Sequence, residues 1–189
     1  MKNSKRFLMM ILSVFTFVLV GLFSACTVTN SNDLNLCRRW IQASQKKAQV
    51  VEMSMEMKDS GVLVYAFEKT ITFNTEGSAT VKTVESSLNS AFVLDSKESV
   101  DTVENARKTN LLTISLSKDN FYAYDYVDGR LSILVEQDKV DDVFGWVTVE
   151  SQGFVQITFK FTDQKLTSAA CTFKTSTGKH VSCNVTYGY

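Results

Sequence analysis

The sequence predicts an all-β fold, namely an antiparallel up-and-down barrel of about eight to ten strands, with a β-sandwich as the alternative. Three observations predict this fold. The chain after residue 25 is rich in Thr, Val, Ser, Phe and Tyr, which suit pleated, half-buried strands. Apolar and polar residues alternate along most of that part, and short turn sequences separate the alternating runs. Proline is absent, which argues against Pro-rich linkers and recognition segments.

The first 25 residues differ from the rest of the chain. Lys2, Lys5 and Arg6 precede an uncharged apolar run, which predicts a signal helix and ends with the small residue Ala25 before Cys26. Basic residues, an apolar core and a small residue at the cut are the order that secretion requires. This order resembles a bacterial lipoprotein signal peptide, in which the cysteine becomes the first mature residue and carries a diacylglycerol on its sulfur.

The resemblance implies a signal peptide over 1–25, a tether over 26–33 and lipid attachment at Cys26. It also implies a bacterial envelope protein that its lipid anchors to a membrane, expected to be the outer membrane, on its periplasmic or its surface face. Two acyl chains are enough for stable attachment. Two alternatives stay open. In the first, the leader remains as an uncleaved transmembrane helix, since about 18 apolar residues span a bilayer. In the second, an ordinary secretory cut leaves a free cysteine nearby.

The first half of the mature chain contains several predicted strands. Asp33 would cap a short helical turn, unless the tether runs on to the first strand. Val51 and the next three methionines share one face of a strand, and further strands are predicted over 62–67, from Ile71 and over 79–84. Residues 85–108 lack the alternation and predict a loop followed by a short amphipathic helix, either a crossover or a lid over the barrel mouth.

Alternating runs resume in the second half of the chain. Strands are predicted over 112–116, 121–127, 131–137, 143–150 and 155–161, before a last hairpin that turns at 176–179. The regular spacing of these runs and their short turns favours an antiparallel barrel or sandwich over a parallel sheet.

Two features of the mature chain resemble the lipocalin-like family, and in particular Bacteroides-type envelope lipoproteins with such domains. One is Leu36 placed four residues before Trp40, and the other is the Phe73–Gly77 turn between two strands. The resemblance implies one lipocalin-like domain over 34–189, with Trp40 plugging the closed end of its barrel. It further implies a small apolar ligand, no enzymatic activity and no cofactor. The competing hypothesis is a structural or interaction module that docks to an envelope protein or a glycan.

Cys171 and Cys183 flank the last predicted turn almost symmetrically. Each lies an even number of residues from its apolar neighbours and therefore shares their face of the strand. The hairpin is thus expected to place the two cysteines opposite each other on its inward side. An oxidising envelope would join them in a cross-strand disulfide. Buried free thiols are the alternative, because cysteine packs well as a small apolar residue. Cys37 would in either case add an unpaired thiol.

Four aromatic residues form the candidate binding surface. Tyr122, Tyr124 and Tyr126 share one face of a predicted strand, and Trp146 lies in a later strand. If exposed, such side chains would stack on sugars or pack against a protein. If turned inward, they would line a ligand cavity or simply fill the barrel.

Composition and motifs argue against several function classes. The leader holds three of the 20 basic residues, which leaves 17 against 20 acidic residues and no clustered basic face for nucleic acid. The single histidine, His180, lies near a turn, and neither a Gly-rich phosphate loop nor a nucleophile elbow is present. The aspartates at 138, 141 and 142 lack calcium-loop spacing, and Cys-x-x-Cys is absent. We therefore predict no catalytic residues and no metal.

Overall fold

The computed structural model describes residues 31–106, 111, 114–145, 147 and 153–189. The predicted signal peptide and most of the tether lie outside the described residues, as do Cys26 and Trp146. Within the described ranges, none of the helices combines the length and the apolar character that crossing a membrane needs.

The described residues form two α-helices and nine strands. Helix α1 is Ser31–Lys47 and helix α2 is Val140–Val143. The strands are β1 (Val50–Asp59), β2 (Val62–Phe73), β3 (Ala79–Leu88), β4 (Leu94–Val103), β5 (Ala123–Val127), β6 (Arg130–Val135), β7 (Val155–Thr162), β8 (Lys165–Lys174) and β9 (His180–Gly188).

All nine strands belong to one antiparallel sheet in the order β4-β3-β2-β1-β9-β8-β7-β6-β5. Each strand pairs with its neighbours in sequence, and β1 pairs with the last strand, β9. The exception is β4 with β5, which stand at the two ends of the order. This is the pairing of an up-and-down barrel that is open at one seam. The predicted all-β antiparallel fold is therefore confirmed, with one sheet rather than the two of a sandwich.

The core lies on one face of this sheet, which we call the inner face. In β7, Val155, Ile157, Phe159 and Phe161 are buried and alternate with less buried polar residues. β8 and β9 repeat that alternation. Because strand side chains point to opposite faces in turn, this pattern buries one face and exposes the other.

Helix α1 packs against the inner face and is longer than the sequence predicts. Leu34, Cys37 and Ile41 are each no more than 2% exposed, and their spacing places them on one side of a helix. This apolar side explains why 17 residues are helical where a single turn was expected. The helix begins at Ser31, so the last three residues of the predicted tether, 31–33, belong to it.

Strand β4 replaces the loop and helix predicted over 85–108, so that prediction is wrong. β3 continues to Leu88, and the Asn89 side chain accepts hydrogen bonds from the backbone N–H groups of Ala91 and Val93 at 2.9 and 3.0 Å. The chain thereby turns back into β4. Every residue from Leu94 to Thr102 is exposed, so neither face of β4 has to be apolar and no alternation marks it.

Two other predicted strands lie partly outside the described residues, and the residues described there do not form the expected strands. Over 112–116 the described part contributes one isolated bridge, between Ile114 and Phe144. Of 143–150 the structure describes 143–145 and 147, where Val143 ends α2 and is buried together with Val140 and Phe144. Residues three and four apart share a helix side, so this spacing buries them without a strand. The segments predicted at 62–67 and from Ile71 are one continuous strand, β2.

Candidate functional site

The two ends of the sheet differ in how they are covered. At the end with the β5–β6 and β7–β8 turns, which we call the helix end, α1 is fastened to the strands. The Leu166 N–H donates to Ser44 Oγ at 2.9 Å, and the Gln49 N–H donates to the Gly188 carbonyl at 2.8 Å. Trp40 of α1 packs against Phe161, with ring centroids 5.5 Å apart. The opposite end, with the β1–β2, β3–β4 and β8–β9 turns, is the far end.

Toward the far end, three apolar side chains of the inner face are only half-buried. They are Met57 of β1 with Tyr65 and Phe67 of β2, and we call them the open inner face. Met57 pairs with Tyr65, and Phe67 pairs with Met55, which is buried. These residues therefore continue the core side of the sheet into a region that the described residues leave partly uncovered.

Polar groups of β3 border the open inner face. Glu85 lies opposite Phe67 and Ser87 lies opposite Tyr65, and both β3 residues are exposed. Burial, and secondarily the Glu85 carboxylate, raise the pKa of the Tyr65 phenol, which thus stays neutral at pH 7. The arrangement offers an apolar floor with a hydroxyl and a carboxylate at its rim. It suits binding of an apolar group better than proton transfer or nucleophilic attack.

The predicted tyrosine stripe is divided by the structure. Tyr124 and Tyr126 lie on the inner face of β5, opposite the buried Ile133 and Leu131, and both are half-buried. Tyr126 lies 6.3 Å from the Trp40 ring, and burial is the largest cause of its raised phenol pKa. These two tyrosines help to fill the interior, which is the inward alternative for the stripe, and they do not share a surface with Tyr122.

Tyr122 instead lies outside β5 and is 74% exposed. Its ring packs on Phe154, which is 60% exposed, with centroids 5.9 Å apart. The sequence prediction missed Phe154, although its parity is opposite to that of Val155 and Ile157 on the buried face of β7. That parity is a signal for an outward apolar residue. Trp146, the fourth predicted aromatic, lies outside the described residues.

Cys171 and Cys183 are directly opposite each other in the β8–β9 ladder, as the hairpin parity predicts. Both are buried, and both are free thiols, so the predicted cross-strand disulfide is not formed. A hydrogen bond with Cys171 and burial raise the pKa of the Cys183 thiol. Burial and, secondarily, Asp33 raise the pKa of Cys37 to about 12. Neither Cys37 nor Cys183 therefore supplies a thiolate at neutral pH.

The remaining polar candidates stand apart from one another. His180 is exposed at the start of β9. In α2, the Asp142 carboxylate forms an ion pair with the Lys139 ammonium group at 3.5 Å on the exposed surface. In the described ranges, no three His, Cys, Asp or Glu residues come close enough to hold a metal ion.

Comparison with family models and with curated proteins gave no match. Several solved structures are similar in part. LprF from Mycobacterium bovis has 13% identity over 80% of this chain and 92% of its own, with a TM-score of 0.40. A redesigned β-barrel, mFAP1, bound to DFHBI has 12% identity over 76% of this chain and 97% of its own, with a TM-score of 0.24. A dehydratase domain from the CurK module of curacin polyketide synthase has 8% identity over 77% of each chain, with a TM-score of 0.23. TM-scores below 0.5 identify neither a family nor an activity, and none of these structures supports a Bacteroides-type group.

Proposed function

We propose that this protein is a lipid-anchored bacterial envelope protein without enzymatic activity, whose β domain binds a small apolar ligand on the open inner face. The half-exposure of Met57, Tyr65 and Phe67 on the core side of the sheet carries this proposal. On the same face, β7 to β9 bury their apolar residues. A ligand that covers these side chains gains about 25 cal/mol for each Å² of apolar surface removed from water.

The seam between β4 and β5 offers a ligand a route to this floor. β4 does not pair with β5 in the described part of the chain, so the inner face of β3 and β2 lies one and two strands in from an open side of the sheet. The rim formed by the Tyr65 hydroxyl and Glu85 is polar, which favours a ligand with an apolar body and one polar group at its edge.

Binding of the neutral fluorescent probe N-phenyl-1-naphthylamine tests the proposal on the chain from residue 27 onward, purified without detergent. We expect saturable binding that Phe67→Ser weakens about tenfold, because the ring supplies part of the apolar floor. Phe92→Ser is the matched control, since Phe92 is 83% exposed in the β3–β4 turn. An absence of saturable binding, or an equal loss in both variants, would refute the proposed site.

Native mass spectrometry addresses the natural ligand. Protein released gently from its own envelope should carry an additional mass that is extractable with organic solvent. The Phe67→Ser variant should carry less of it, and Phe92→Ser should carry as much as the unchanged chain.

The anchor is proposed from Cys26 and the leader that precedes it. In cells fed a labelled fatty acid, the unchanged chain should incorporate the label and sediment with membranes. Cys26→Ser should lose the label, whereas Cys37→Ser should keep it, because Cys37 is buried in α1. Membrane retention of Cys26→Ser without the label would instead indicate an uncleaved helix.

A second candidate function is docking of a glycan by the outward aromatic pair of Tyr122 and Phe154. Two exposed rings 5.9 Å apart are an apolar platform on which a sugar ring can stack. Tyr122→Ala should abolish retention on immobilised envelope glycans while leaving the binding of the apolar probe unchanged. Equal retention of the unchanged chain and of Tyr122→Ala on the glycans would rule out this role.

A further inference from the structure

In the part of the chain that the structure describes, strand β4 has one backbone edge without a neighbouring strand. Each residue from Leu94 to Thr102 is exposed, and β4 stands at the end of the strand order, with β3 as its neighbour. Unpaired edges of this length invite pairing with another strand. β4 has ten residues, whereas β5, the edge strand on the other side of the seam, has five.

The ladder between β3 and β4 determines which residues face that edge. The Asn89 N–H donates to the Val93 carbonyl, and Leu88 lies opposite Leu94. Because hydrogen-bonded and non-hydrogen-bonded pairs alternate in an antiparallel ladder, the odd-numbered residues of β4 bond to β3. The backbone groups of the even-numbered residues therefore point to the free edge: Leu94, Ser96, Glu98, Val100 and Thr102.

The side chains of β4 are complementary to a second copy of the same strand. In a two-fold antiparallel pairing centred on Ser99, Lys97 of each copy lies opposite Asp101 of the other. In the ladder with β3, Asp101 lies opposite Val81, which offers its carboxylate no charge partner, and Lys97 lies opposite Glu85. The pairing thus gives Asp101 a cation and creates two opposite-charge pairs.

The alternative two-fold registers within β4 are poorer in charge pairing or in length. A centre at Ser96 also forms two opposite-charge pairs, between Asp95 and Lys97, but it pairs only residues 94–98 of β4, whereas the centre at Ser99 pairs residues 95–103. A centre at Lys97 places two lysines face to face. A centre at Glu98 opposes two glutamates and also sets Asp95 against Asp101. A centre at Val100 forms no charge pair. The centre at Ser99 places no like charges opposite each other, and it leaves Glu98 free to keep its 3.1 Å ion pair with Lys82 of β3.

We infer that β4 is a self-recognition strand, through which two copies of this chain join their sheets edge to edge about a two-fold axis at Ser99. The even-numbered residues supply the backbone hydrogen bonds. The odd-numbered residues form the non-hydrogen-bonded pairs, in which side chains come closest, and this is where Lys97 meets Asp101. The charge pairs together with the length of the paired segment then select this one register.

Cysteine cross-linking of the full-length chain in its membrane tests the register. Ser99→Cys places two thiols across the axis, within the Cα separation of about 4.4–6.8 Å that a disulfide spans. Two copper(II)–phenanthroline complexes, each accepting one electron as the two thiols lose their protons, form one disulfide, and this treatment should convert most of the variant into a dimer on a non-reducing gel. The native thiols at 37, 171 and 183 are buried, and the unchanged chain, which also has Cys26, should give no dimer under the same treatment.

Ser96→Cys and Thr102→Cys are the matched controls, because the pairing keeps two copies of either residue roughly 20 Å apart. Each should give little dimer alone, but a mixture of the two variants should cross-link, since Ser96 lies opposite Thr102. Strong self-cross-linking of Ser96→Cys, or adducts of Ser99→Cys with another protein, would overturn the inference.

Charge reversal supplies an independent readout. Lys97→Glu in the Ser99→Cys background should slow dimer formation about tenfold, because two attractive pairs become repulsive. Adding Asp101→Lys should restore the rate, which a purely structural effect of Lys97→Glu would not allow. Circular dichroism should be unchanged in all variants. Equal rates with and without Lys97→Glu, or no rescue, would contradict the register.

Discussion

At the scale of single residues, burial determines the chemistry of the side chains more than their type does. Cys37 is 0% exposed in α1, and burial together with Asp33 raises its pKa from the usual 9.0 to about 12. A thiol with such a pKa acts as a small apolar residue rather than as a nucleophile. Its raised pKa also makes the free energy of unfolding depend on pH in the alkaline range.

Replacing Cys37 by Ala should weaken the alkaline pH dependence of unfolding. The folded state holds the Cys37 proton more tightly than the unfolded state, so this contribution is complete below pH 9 and is lost as the pH rises toward about 12. The unchanged chain should therefore lose more unfolding free energy over that range than Cys37→Ala. The difference in slope is at most about 1.4 kcal/mol per pH unit, which corresponds to one proton.

Urea unfolding between pH 8 and pH 11 measures this difference. Other buried groups, such as Tyr187, whose pKa burial also raises, titrate in both proteins and cancel in the comparison. Parallel profiles for the two proteins would show that the Cys37 thiol ionises as easily in the fold as in the unfolded chain.

The sequence predicts the direction of a side chain better than it predicts the oxidation state of a cysteine or the neighbours of a tyrosine. Parity placed Cys171 and Cys183 opposite each other, as the structure confirms, but parity says nothing about oxidation, and both are free thiols. Parity also grouped three tyrosines. The strand begins only at Ala123, so Tyr122 is free to turn outward toward Phe154.

At the scale of elements, one buried serine joins α1 to the sheet. Ser44 is 2% exposed, and its hydroxyl oxygen accepts the N–H of Leu166, the second residue of β8. The Tyr189 hydroxyl donates to the carbonyl of the same Leu166 at 2.7 Å. A few polar contacts thus fix the register between a helix and a sheet that otherwise meet through apolar packing.

Ser44→Ala should destabilise the fold by about 1–3 kcal/mol, because it leaves the buried Leu166 N–H without an acceptor. Gln42→Ala, at an exposed position of the same helix, should change the unfolding free energy by no more than about 0.5 kcal/mol. Urea unfolding of the three proteins measures both values. A Ser44→Ala protein as stable as the Gln42→Ala protein would show that this hydrogen bond contributes nothing to stability.

The elements that the sequence predicted correctly are those with one buried face. β1, β7 and the last hairpin bury alternate residues, so the alternation of apolar and polar residues in their sequence indicates which side chains point to the core. β4 buries nothing from Leu94 to Thr102, and no pattern can record a face that does not exist. α1 was underestimated because its buried side holds Cys37 and Ser44 among apolar residues. The open inner face depends on which strands pair, which periodicity does not specify.

At the scale of the whole molecule, stability should decrease from the middle of the sheet toward its seam. β1 and β9 have a strand on both sides, and Val51 and Val185 are 0% exposed. β4 has one neighbouring strand and two exposed faces. Local opening costs least where few buried contacts are lost, so the molecule combines a stable centre with a labile edge.

Hydrogen exchange of the dilute, monomeric chain should show this gradient. Amides of β1 and β9 should exchange through global unfolding, while the edge-facing amides of β4, such as those of Ser96 and Val100, should exchange within seconds. Raising the concentration should protect those β4 amides and leave the β5 edge unchanged, because self-pairing bonds the even-numbered residues of β4 alone. Nuclear magnetic resonance resolves the individual amides. Uniform protection across the sheet would contradict the gradient, and protection that rises equally in β4 and β5 would indicate non-specific association instead.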